Sequence, residues 1–126
     1  SEHGVKFLQT FNVQRIPSSQ GITNKRLVHG TTSERALTYM VRNVHFEPSE
    51  NPSIDYVSRS MKEISSAFFW KRPAIISSHR VNYIGAINEK NRKHGLTDLQ
   101  DLLQRIVKTW PDVQFISSEQ LAHRMK

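Results

Sequence analysis

The chain contains no cysteine, which excludes disulfides and thiolate metal sites and leaves the compartment open. No apolar run approaches the roughly 20 residues of a membrane-spanning helix, so no membrane span is expected. Signal-peptide and lipidation motifs are missing. The chain opens on serine rather than methionine, which points to a processed or excised polypeptide and leaves open the loss of a targeting segment. Neither H-x-x-x-H nor C-x-x-C spacing occurs, so a complete metal site within these residues is not expected. There is no glycine-rich phosphate loop and no G-x-S-x-G elbow. Repeats and low-complexity tracts are also absent.

What is present suits one domain with a real core: 126 residues, 37% hydrophobic and 23% charged. The formal net charge of +7 invites a nucleic-acid or anionic-polymer reading. However, the 18 Lys and Arg are scattered, with one local cluster at Lys90, Arg92 and Lys93. Residues 88–94 (NEKNRKH) lack interleaved aromatics and read as a solvated lead-in to a helix. Nucleic acid is therefore set aside as the main partner.

Hydrophobic patterning predicts alternating strands and helices. Residues 5–11 and 36–47 read as strands, the second sorting Asn43, His45 and Glu47 to one face. Between them, residues 17–33 read as a long loop or weak excursion. A helix capped by Ser53 follows, with Ile54, Val57, Met61, Ile64 and Phe68 as its apolar stripe. Residues 74–76 form a short apolar run after Pro73, read as a strand buried on both faces. A second helix is expected from a capping box at Thr97 and Gln100, burying Leu96, Leu99, Leu103, Ile106 and Trp110. A last strand at 113–116 and a short helix capped by Ser117 and Gln120 complete the order. This alternation argues for an α/β fold with mostly parallel strands, about half of a (β/α) barrel.

The carboxyl end of a buried parallel strand is where such folds place chemistry. The run ending Ser77-Ser78-His79-Arg80 therefore makes His79 the first candidate, either as general acid or base or as a loop-capping hydrogen-bonder. Arg80 could clamp a substrate carboxylate or tie down Glu47. Asn82 is a further candidate to line the same mouth. Should the 43/45/47 face point into that mouth, His45 and Glu47 would join His79 at one rim, where a His–Glu pair can set a tautomer or share a proton. The alternative for that face is a solvent-exposed edge.

Residues 73–85 (PAIISSHRVNYIG), together with Asn91-Arg92, Gly95-Leu96 and the WPDVQF segment at 110–115, resemble the C-terminal part of the polysaccharide deacetylase-like (NodB-homology) family, closest to its large bacterial glycan-processing branch. The resemblance covers mainly residues 36–126 and more weakly 4–17. It implies a distorted (β/α) barrel that removes N- or O-acyl groups from glycans by metal-assisted hydrolysis, in a periplasmic or secreted setting. It assigns His79 as the acid that protonates the leaving group, with Arg80, Asn82, His45, Glu47 and Asn43 as substrate-side candidates. The family's paired aspartates and metal-binding histidines have no match here, and Arg80 stands where an aspartate often follows the histidine. A divalent metal and a catalytic base are thus implied only for a full-length protein. The chain itself is expected to be inactive and to need the missing half of the barrel or self-association. The rival expectation is a non-catalytic carbohydrate- or partner-binding α/β domain.

Overall fold

A computed structural model describes residues 4–86 and 88–125. The chain is mixed α/β: β1 (Phe7–Phe11), β2 (Val13–Ser18), β3 (Gly21–Arg26), β4 (Thr38–Arg42), β5 (Val44–His45), α1 (Tyr56–Phe69), β6 (Ile76–Ser77), a 3-10 turn (Arg80–Tyr83), α2 (Glu89–Thr109) and α3 (Ser118–Arg124). Its described strands form three two-stranded ladders, two parallel and one antiparallel. The described residues group into two compact units, 4–42 with 115–125 and 43–114. Among the described residues, no helix is long and apolar enough to cross a membrane.

In the first unit, β1 and β4 run parallel, Phe7 opposite Thr38 and Phe11 opposite Arg42. Leu27, Met40 and Val41 are its buried apolar residues. The Arg42 guanidinium lies 4.0 Å over the Phe11 ring, a cation–π contact. Residues 17–33, expected as a long loop or weak excursion, include most of an exposed hairpin, β2 and β3 pairing from Val13↔Arg26 to Ser18↔Gly21, while residues 27–33 lie outside the named strands. Gly21 sits at φ +116°, a conformation glycine reaches without a steric penalty. Both hairpin strands are exposed throughout, so no period-two apolar alternation marks them in the sequence. The helix α3 begins as expected, with Ser117 and Gln120 capping each other reciprocally.

In the second unit, α1 crosses over between the parallel strands β5 and β6. Asp55, rather than the expected Ser53, caps α1 by accepting from the Ser58 amide at 3.0 Å. Ser53 is instead held by the Asn51 side chain in the preceding turn. The expected stripe packs inward: Val57 and Ile64 are buried, with Ile54, Met61 and Phe68 against them. Val44, Phe46, Tyr56, Leu102 and Ile106 complete this core. Each large apolar side chain so buried contributes about 1.5–3 kcal/mol.

Four further expectations are corrected. The helix α2 begins at Glu89, capped by Asn88, so residues 88–94 are its cap and first turns rather than a lead-in. Ile106 of this helix is buried, and Leu99 and Trp110 pack against the core as expected, but Gly95 and Leu102 join the buried side while Leu96 and Leu103 are exposed. Its face is rotated from the expected one because Leu102 and Leu103 are adjacent and only packing chooses between them. Finally, the run at 74–76 is not buried on both faces: Ile75 is 7% exposed and Ile76 37%, since β6 pairs with β5 alone. In addition, residues 113–116 join no ladder among the described residues.

Candidate functional site

β5 and β6 are parallel, so their carboxyl ends emerge side by side. The ladder aligns Val44 with Ile76 and His45 with Ser77, and Phe46 donates its amide to the Ser77 carbonyl at 3.0 Å. Two residues past each strand end stand Glu47 and His79. They meet: His79 Nδ1 lies 2.6 Å from Glu47 Oε1, and the His79 amide donates to Oε2 at 3.2 Å. The carboxylate side chain is only 6% exposed and the imidazole 66%.

A buried carboxylate is costly unless its oxygens are satisfied. Asn82 supplies the remaining donor, its Nδ2 reaching Glu47 Oε2 at 2.6 Å. Burial pushes the Glu47 carboxyl up, but hydrogen bonds from Asn82 and then His79 outweigh it and hold the group below its ordinary value. A carboxylate only accepts, so the hydrogen between the two groups sits on Nδ1. The neutral ring then keeps its Nε2 lone pair free, and Nε2 has no hydrogen-bond partner among the described residues. This is the arrangement of an oriented acid–base imidazole, with one nitrogen tethered and the other available.

Because the folded value of Glu47 is lowered, its contribution to stability is complete above the unfolded value of about 4.3 and is lost as pH falls through the folded value. Glu47→Gln should therefore flatten the acid limb of stability. Thermal unfolding across pH 2–6 is expected to show wild type losing stability more steeply than the variant below about pH 4. Parallel curves would remove the paired carboxylate from this account.

The remaining candidates are dispersed. Asn43 ties the opposite, amino end of the ladder, donating to the Pro73 carbonyl at 2.9 Å and accepting from the Ile75 amide at 2.7 Å. It therefore stands away from the rim where it was expected, engaged by backbone that precedes β6. His45 pairs through Nε2 with Glu50 at 2.9 Å, and its ring packs near Tyr56. The expected shared face fails because β5 ends at His45, after which Phe46 and Glu47 both turn inward. Asn82 is fully buried rather than lining a mouth. Arg80 is exposed beside His79 and does not tie down Glu47, whose donors are His79 and Asn82.

Sequence reasoning missed Ser49 and Gly95. Ser49 donates both its amide (3.0 Å) and its hydroxyl (2.6 Å) to Asn82 Oδ1. Gly95 lets α2 approach the 3-10 turn, since a Cβ there would lie 2.0 Å from the Asn82 carbonyl oxygen. A glycine within a 21-residue helix was the available signal for the second; a lone serine after a proline gave none for the first. Tyr83 closes the turn through a 2.6 Å hydrogen bond with Ser78, and burial pushes its hydroxyl up.

Among the described residues, no group of three or more His, Cys, Asp or Glu could hold a metal ion. No chemical step is assigned to a metal. Compared with protein-family models, with curated proteins and with solved structures, the chain matches none.

Proposed function

We propose that the chain is the C-terminal portion of a polysaccharide deacetylase-like carbohydrate esterase, its parallel strands forming half of a (β/α) barrel that other polypeptide completes. The supporting observation is the exposed His79 imidazole tethered through Nδ1 to buried Glu47 at the ends of two parallel strands. In this reading the substrate is a glycan carrying N- or O-acyl groups. The imidazolium at position 79 gives its Nε2 proton to the departing amine or alcohol as the acyl–heteroatom bond breaks, and the Glu47 carboxylate stabilises the imidazolium until then. Arg80, exposed next to His79, contacts the substrate in this reading. Activation of the attacking water is not assigned to these residues.

Acetate release from an acetylated oligosaccharide tests the reading. The polypeptide containing the whole barrel is expected to turn over and the 126-residue chain alone is not. Tight glycan binding that survives His79→Ala, with no turnover by the longer polypeptide, would favour a carbohydrate-binding domain and defeat the proposal.

A further inference from the structure

Asn82 is wholly buried, and its amide joins two other pieces of chain, residues 47–49 and 78–79. Its Oδ1 accepts the amide and hydroxyl of Ser49, just past Glu47. Its Nδ2 donates to Glu47 Oε2 at 2.6 Å and to the His79 carbonyl at 2.9 Å, with Ser78 Oγ further off at 3.5 Å. The partners fix the orientation of the amide. The Ser49 backbone N–H can only donate, and the Glu47 carboxylate and His79 carbonyl can only accept. A flipped amide would set oxygen against oxygen twice and nitrogen against a donor.

The geometry points to Asn82 as a positioning residue, whose amide locks the Glu47 carboxylate in place and thereby holds the neutral His79 ring with its hydrogen on Nδ1 and Nε2 free. Asn82 itself touches no substrate, since no part of it is exposed. Ser49 is the outer member of the relay, and Gly95 gives the 3-10 turn the room it needs against α2. Held this way, the ring takes up its second proton at Nε2, and that is the proton the imidazolium delivers in the acid role proposed for His79; the inference deepens that role, and its test does not depend on turnover.

The experiment is ¹⁵N and ¹³C NMR of the full chain. The neutral His79 ring is expected to show a protonated Nδ1 and a bare Nε2. The titratable groups facing the carboxylate are His79, Tyr56 and Tyr83, so the low-pH titration of Glu47 is read from its own carboxyl carbon. In Asn82→Ala, the single tautomer should give way to a mixture, and the Glu47 midpoint should rise toward about 4.3. Should that variant fail to fold, Ser49→Ala keeps the amide donor and removes only the hydroxyl; it should move the Glu47 midpoint the same way by less. A wild-type ring protonated on Nε2 would overturn the inference. So would a folded Asn82→Ala, or failing that Ser49→Ala, with the wild-type Glu47 midpoint. Neither result would touch the acetate-release test, so the two proposals fail separately.

Discussion

Replacing His79 by alanine is expected to lower kcat for acyl release by about 100- to 10,000-fold in the polypeptide that completes the barrel, the range for loss of a positioned acid. KM should change little, because the proton is needed only as the leaving group departs. The fold should survive. The imidazole is 66% exposed, and Glu47 keeps the backbone amide of residue 79 and the Asn82 side chain as donors. Steady-state kinetics beside a urea unfolding curve separates these effects. A variant with unchanged kcat would end the acid assignment, and one that unfolds would show that the ring is structural.

Gly95→Ala is expected to reverse the usual sign of a helix substitution. In an exposed helix interior, alanine stabilises over glycine by about 1 kcal/mol. Here the new Cβ would stand 2.0 Å from the Asn82 carbonyl oxygen and 3.0 Å from its carbonyl carbon. Both neighbours are backbone, so either α2 or the 3-10 turn must move, at a cost of about 1–3 kcal/mol. If the turn moves, the Asn82 amide moves with it and Glu47 loses its second side-chain donor. Urea denaturation measures the loss, and a variant more stable than wild type would show that α2 and the turn are not in contact.

These two residues also show what the sequence could reveal. His79 was legible because a short apolar run followed abruptly by polar residues marks a strand end. α3 was legible because Ser117 and Gln120 satisfy each other locally. The stripe of α1 survived the misreading of its cap, since periodicity over 14 residues is a stronger signal than one terminal side chain. The start of α2 was hidden by Thr97 and Gln100, which imitate a capping box inside a helix that had begun at Glu89. The hairpin was invisible for the opposite reason, as its exposed strands bury nothing that would impose a pattern. Glu47 was named as a candidate, but its choice of His79 over Arg80 depends on the ladder register and the buried Asn82. No local pattern carries that information.

The route of the chain between β5 and β6 governs when its chemistry becomes available. Glu47 and His79 are 32 positions apart, with the whole of α1 threaded between them. The tether cannot close while that crossover is undocked, however much helix has already formed. A nascent or transiently opened molecule therefore exposes an imidazole without its carboxylate, and the oriented His79–Glu47 pair exists only after tertiary closure.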